Sequence, residues 1–330
     1  MTLIKNVQVV DGTGQPPLSA DLLIKGERIL AIGQFPKHLA GTVIDGEDGY
    51  LMPGFIDVNT DSDHYLTLFT NPGQKSFLNQ GVTTIIGGQC GSSLAPLLYG
   101  SLESIRKWAD INQINVGWRT MAEFLAILEK RGLGVNFGTL IGHSTVRRAI
   151  IGNDQRDLTV NELKIFVKIV EQALTDGAFG LSSGLGYAHS RQTPYYELKE
   201  LAAAVASHNG VYATHLRDEK EGTPAAVAEA LKLAEATGVT TLINHFRPLR
   251  GSETKFHEAM RLIENSPAPV HFDGYASDAS LVPIYTLLPP WAAHNDLETM
   301  CDCIDDPELQ KKIARRPASR RKYTTIWRRS

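Results

Sequence analysis

Over the first fifty residues the apolar positions alternate or gather in short β-branched runs. LIKNVQVVDG (3–12), ADLLIKGERILAIG (20–33) and TVIDGEDGYLMPG (42–54) each carry an Asp-Gly, Lys-Gly or Pro-Gly turn signal. This pattern predicts a small β-module over residues 1–53. From residue 54 the period changes. Seven short strand patterns follow: FIDVN (55–59), VTTIIGGQ (82–89), NFGTLIG (136–142), FGLSSG (179–184), VYATHL (211–216), TTLINHF (240–246) and VHFDGY (270–275). Helical spacing fills most of the intervals, as in NELKIFVKIVEQALTDG (161–177) and PAAVAEALKLAEATG (224–238), each closed by glycine. Strand–helix alternation of this kind predicts an α/β fold with a parallel sheet, and this many units point to a (β/α)8 barrel over residues 54–308. Seven strands can be counted and an eighth is not apparent, so the expected barrel is incomplete.

Composition narrows the function. The chain has 330 residues, is 42% hydrophobic and 21% charged, and carries a net charge of −3, which is ordinary for a globular protein. That balance gives the whole chain no electrostatic case for nucleic acid or an anionic membrane. The apolar runs are too short to span a bilayer and the N-terminus lacks a signal-peptide core, so a cytoplasmic protein is expected. Three cysteines, Cys90, Cys301 and Cys303, make no disulfide framework, and a reducing compartment leaves Cys90 available as a thiolate. Residues 309–330 stand apart, with nine Lys and Arg and no acid. They are expected to form a basic, disordered tail.

Catalytic residues of such barrels stand at the C-terminal ends of the strands. Strand one ends at Asn59, with Asp61 and Asp63 just beyond; strand two ends at Cys90, strand three at His143, strand five at His215 and strand six at His245. Strand seven offers Asp273 and Tyr275. Cys90, His215 and His245 are soft or borderline donors suited to Zn²⁺, and three protein ligands leave a fourth position open, as catalytic zinc requires. His38, His208 and His257 fall in turn or helix contexts. His64, five residues past Asn59, is ambiguous, and His189 and His294 lie in loops that could line a site.

PGFIDVNTD, QGVTTIIGGQCGSSLAPL, IGHSTVRRAIIG, DGAFGLSSGLGY, YATHLRDE and INHFRPLRG resemble, in this order, the motifs of the N-acyl-D-amino-acid deacylases (D-aminoacylases) of the amidohydrolase superfamily. The resemblance runs to about residue 308. It implies a (β/α)8 barrel with a composite β-sandwich, and a zinc held by Cys90, His215 and His245. It further implies hydrolysis of linear amides of small N-acyl amino acids, with Arg247 binding the substrate carboxylate, Tyr275 lining the pocket and His143 supporting a ligand or the substrate.

Two departures shape the expectation. The family's His-x-His at strand one, which serves a second metal, is replaced by Asn59-Thr60-Asp61. One carboxylate and one amide are poor substitutes for two imidazoles, so one zinc is expected. The family's general-base Asp after strand eight finds no counterpart here, which leaves Asp61, Asp63 and Asp273 as candidate proton-transfer groups. A chain shortened at its C-terminus, weak or inactive as a catalyst, is the corresponding expectation. Cyclic-amide chemistry of the dihydropyrimidinase kind is the remaining alternative. It uses a carboxylated Lys at strand four, where this chain has Ser182 and Ser183.

Overall fold

The computed structural model describes residues 1–99, 102, 104–106, 108–152, 154, 156–275, 277, 279, 301, 302 and 304–314. The chain divides into two compact units, Met1–Ile56 with Asn79–Thr83, and Asp57–Leu78 with Thr84–Ser330.

In the first unit, β1 (Thr2–Val9), β2 (Leu18–Lys25), β3 (Arg28–Gly33) and β4 (Thr42–Asp45) form a sheet in the order β3-β2-β1-β4, and β5 (Tyr50–Leu51) also pairs with β1. β1 and β2 run antiparallel, as do β2 and β3, whereas β4 and β5 run parallel to β1. Leu3, Val7, Val9, Ala20, Leu22 and Leu23 are buried. The lone buried carboxylate, Asp21, is held by Lys5 Nζ at 2.8 Å and by the backbone N–H groups of Asn6 and Phe35, which compensates its desolvation. The outer strands β3 and β4 leave Ile29, Leu30, Ile32, Val43 and Ile44 exposed.

In the parallel part of the chain all seven strands predicted from the sequence form. A three-stranded sheet has the order β6-β7-β8 (Phe55–Asp57, Val82–Gly87, Asn136–Thr139), and a five-stranded sheet the order β9-β10-β11-β12-β13 (Ile141–Gly142, Gly180–Gly184, Val211–His215, Thr240–Ile243, Val270–Phe272). The third predicted strand is thus split at Leu140 into β8 and β9. The split does not interrupt the bonding, because Leu140 N donates to Gly87 O at 3.0 Å and Phe179 N to Thr139 O at 2.9 Å. Ladders from β7 to β8 and from β9 to β13 are parallel.

The helices follow the predicted pattern. After the one-turn helices α1 (Thr67–Thr70) and α2 (Lys75–Leu78) come α3 (Met121–Arg131), α4 (His143–Ile151), α5 (Val160–Thr175), α6 (Tyr195–Ser207), α7 (Thr223–Thr237) and α8 (Glu253–Glu264). α5 buries Phe166, Val170 and Ala173, one stripe at helical spacing. Its start is set by a capping box in which Thr159 and Glu162 satisfy each other's backbone N–H. α7 begins with Pro224 in its first turn and ends at Gly238 with φ +71; only a residue without Cβ takes that left-handed cap cheaply. Its inner face joins Leu216, Ile243, Phe246 and Ala259 in a core cluster.

The basic segment expected to lack order starts within a helix instead. α9 spans Pro307–Ala314. Asp306 Oδ1 accepts from Glu308 N at 2.8 Å and Leu309 N at 3.3 Å, and Lys311 pairs with Glu308 at 2.6 Å. An N-capping Asp followed by Pro at the first helical position is a start signal that outweighs the charge pattern locally. The rest of the basic segment, His294 and Cys303 lie outside the described residues.

Candidate metal centre

The ladders bring the soft donors together. His215 is the last residue of β11, His245 lies two residues past β12, and Cys90 three residues past β7. All three therefore stand at C-terminal strand ends. One donor atom from each residue lies within 4.8 Å of the other two. Cys90 Sγ is 3.5 Å from His245 Nε2, and the two imidazoles meet edge to face at 4.5 Å between centroids. Cys90 and His215 are buried. His215 Nδ1 is buried without a hydrogen-bond partner, a cost that a bound cation would remove.

Electrostatics favour the deprotonated thiol. Burial pushes the Cys90 thiol up, but hydrogen bonds to His215 and His245 and their charge more than reverse this, drawing it down to about 5. Glu219, which no strand pattern marks, lies with Oε1 2.8 Å from His245 Nδ1 and Oε2 3.7 Å from His215 Nε2. Burial works against its ionised form, yet His215, His245 and Arg247 hold the carboxyl down at about 2. A carboxylate on the far nitrogen of a ligand imidazole fixes the tautomer and leaves Nε2 facing the donor cluster. A thiolate and two imidazoles, one of them so oriented, are a donor set that fits Zn²⁺.

Two of the loops that carry the candidate donors are held in unusual backbone. Cys90 has φ +52 and His245 has φ +41, a region non-glycine residues seldom occupy. Around Cys90, Ser182 Oγ donates to Gly88 O and accepts from Gly91 N, while Gln89 Nε2 donates to Val58 O at 2.7 Å and Gln89 Oε1 accepts from Asn244 Nδ2 at 3.0 Å. Around His245, Asp273 Oδ1 accepts from the His245 N–H at 2.7 Å.

The other sequence candidates fall into three groups. Arg247 and Tyr275 are brought together: Arg247 Nε donates to Tyr275 Oη at 2.6 Å, and the guanidinium carbon lies 4.9 Å from the ring centre. Asn59 and Asp273 also meet, Asn59 Nδ2 standing 3.2 and 3.1 Å from the two carboxylate oxygens. Burial raises the Asp273 carboxyl, against the bonds from His245 N and Asn59. Asp61 is half exposed and sits 2.8 Å from His64 Nδ1. The third group is turned away from the donor cluster. Asp63 is buried and spends its carboxylate on Gly88 N at 2.6 Å and His64 N at 3.0 Å. His143 opens α4 and is fully buried, 2.8 Å from Glu197 Oε1 and against the Phe166 ring. With Arg147 on the same carboxylate oxygen, this is a buried cluster of His143, Arg147 and Glu197.

His64 and Glu219 were not assigned from the sequence. His64 is fully buried, donates Nε2–H to Ser92 O at 3.0 Å and stacks on Trp108 at 5.8 Å. For Glu219, the signal was its position four residues after His215 within YATHLRDE. Among the described residues no helix is long and apolar enough to cross a membrane.

No protein-family model matches the chain. Among curated proteins it is 32% identical to a D-aminoacylase of Alcaligenes xylosoxydans xylosoxydans over 83% of this chain and 56% of that protein. An N-acyl-D-aspartate deacylase of the same organism is 33% identical over 74% of this chain and 49% of its own length. Among solved structures, N-acyl-D-glutamate deacylase from Bordetella bronchiseptica, complexed with zinc and a phosphonate mimic of the tetrahedral intermediate, superposes with a TM-score of 0.75. That match is 28% identical and covers 84% of this chain and 58% of that one. The chain thus spans about half the length of the curated relatives it matches. Parallel α/β architecture, ordered motifs and sequence identity agree, and the chain belongs to the N-acyl-D-amino-acid deacylase (D-aminoacylase) family of amidohydrolases.

Proposed function

We propose that this protein is a zinc-dependent hydrolase of linear amides, acting on N-acyl-D-amino acids with a single metal held by Cys90, His215 and His245. The observation that carries the reading is the convergence of one thiol and two imidazoles, within 4.8 Å, at the C-terminal ends of three parallel strands. We place these strands in a (β/α)8-type barrel preceded by a β-sandwich portion over residues 1–53. When bound, zinc supplies a Lewis acid for the acyl carbonyl and a nucleophile from water at neutral pH.

The chain's own residues do the rest. Glu219 keeps the His245 Nδ1–H engaged, so that Nε2 is presented as a donor. Arg247 receives the substrate carboxylate through a planar two-point contact, and Tyr275 holds the guanidinium plane by accepting from Nε. Asp273 moves the proton: its carboxyl is raised by burial and lies beside the His245 backbone. Asp61, half exposed, is the alternative carrier. Asn59 and Asp61 are both committed to side-chain partners, Asp273 and His64, which supports one metal in place of two. Ser182 and Ser183 are fully buried, Ser182 bonded to the Cys90 loop and Ser183 to β11, and they stand where the cyclic-amide chemistry would need a lysine.

The test is hydrolysis of N-acetyl-D-methionine against hydantoin by zinc-loaded protein, with metal content measured on the same sample. Turnover of the acyl amino acid alone supports the reading. Turnover of hydantoin contradicts it, and zinc without turnover leaves a metal-binding protein and no hydrolase.

A further inference from the structure

The strand-one segment Asn59–His64 is where related proteins would be expected to supply metal ligands, and here its side chains are spent elsewhere. Asp63 is 1% exposed and its Oδ2 accepts from Gly88 N at 2.6 Å. His64 is fully buried and its Nε2 donates to Ser92 O at 3.0 Å. Gly88 and Ser92 are each two residues from Cys90, one before and one after, so two neighbouring residues just past strand one grip both shoulders of the loop that bends at Cys90 with φ +52. The grip allows little slack. A Cβ on Gly87 would lie 2.9 Å from the Asp63 carboxyl carbon, and one on Gly88 would lie 2.1 Å from Leu140 O. At the other end of the segment, Asn59 Nδ2 bonds both oxygens of Asp273. Asp273 in turn accepts from the N–H of His245, the second residue held at positive φ.

We infer that Asn59, Asp63 and His64 are positioning residues that hold the Cys90 and His245 loops in their left-handed backbone, presenting thiolate and imidazole to one metal. The segment thereby contributes order to two ligands and no ligand of its own. This rests on the metal reading proposed above. The chemistry is consistent with it: a backbone bend at a non-glycine residue persists only where its surroundings over-determine it; the Cys90 bend is flanked by side-chain bonds from this segment, and the His245 bend by Asp273, which Asn59 holds.

Co²⁺ binding to the purified full chain tests the inference, because a cobalt–thiolate charge-transfer band reports the Cys90 contact directly. Affinity is read by competition with a chromophoric chelator, with Co²⁺ and Zn²⁺ as the only added ligands. Asp63→Ala removes the acceptor of the Gly88 N–H, one side of the Cys90 grip, together with that of the His64 N–H, and Asn59→Ala releases Asp273. Each should weaken binding by about 10–100-fold, the usual loss when a partner that orients a ligand is removed, and should shift or weaken the cobalt band. Asp63→Asn keeps one acceptor oxygen and should recover part of both. Glu197→Gln, which disturbs the buried His143–Arg147 cluster, should lower thermal stability without moving the band. Should Asp63→Ala not fold, Asp63→Asn and Asn59→Ala carry the same comparison. Wild-type affinity and an unchanged band in both variants overturn the inference and leave the metal site standing. A wild-type chain with no cobalt–thiolate band overturns the metal site itself.

Discussion

Arg247→Lys probes the substrate end of the proposed site. In the structure the guanidinium is oriented twice, by the Nε–Tyr275 Oη bond of 2.6 Å and by the ring 4.9 Å from its central carbon. A lysine ammonium has one nitrogen and no plane of parallel N–H groups, so the two-point contact to a carboxylate is lost. Hydrogen bonds to charged groups contribute about 1.5–3 kcal/mol, and each 1.4 kcal/mol is a factor of about ten. The Arg247–Tyr275 bond lies on an exposed surface, where water competes, so the lower half of that range applies and about 10–40-fold weaker binding is expected. Tyr275→Phe keeps the ring and removes one neutral hydrogen bond, worth about 0.5–1.5 kcal/mol, or roughly 2–12-fold. Because Tyr275 acts through Arg247, the double variant should bind no more weakly than Arg247→Lys alone, and the cycle should be non-additive. Calorimetry with metal-free protein measures N-acetyl-D-methionine and its carboxamide analogue without turnover. An equal loss for the uncharged analogue, or additive single effects, would refute the reasoning.

Stability gives the remaining tests. Burial lowers the His64 imidazole, but the charge of Asp63 and the bond to Asp61 raise it from 6.5 to about 9. The folded state therefore holds this proton more tightly than the unfolded chain. Its contribution is complete below about pH 6.5 and is lost as pH rises to 9, so the melting temperature should fall over that window in the native chain and fall less in His64→Gln. A native chain as flat as the variant would contradict the pairing. Phe166→Ala empties a fully buried position beside His143 and should cost about 3–5 kcal/mol in denaturant unfolding; a loss under about 1 kcal/mol would mean the site collapses freely. Thr159→Ala removes one half of the α5 capping box and should cost about 1 kcal/mol, with no change in zinc content.

Most of the parallel strands were legible because they are short apolar or β-branched runs near turn signals, a pattern set by residues adjacent in sequence. The donors Cys90, His215 and His245 were legible because strand ends in an α/β sheet face one way. What escaped depends on pairs distant in the chain. Asn59 and Asp273 are 214 positions apart, and nothing local marks an asparagine as the partner of that carboxylate. His64 read ambiguously because its burial comes from Trp108 and Ser92, neither of which is its neighbour in sequence. His143 stands at a strand end and so read as a site residue, but it is the first residue of α4 and turns to Glu197 on α6. The helix at Pro307–Ala314 was hidden by its charge, although Asp306 and Pro307 carry its start signal.

Metal stoichiometry tests the central claim most directly. Purified protein, dialysed against metal-free buffer and analysed for elements, should retain about one zinc per chain, as three protein donors predict, and the Cys90→Ala/His215→Ala double variant should retain none. Two retained equivalents in the native chain, or one in the double variant, would contradict a single metal held by Cys90, His215 and His245.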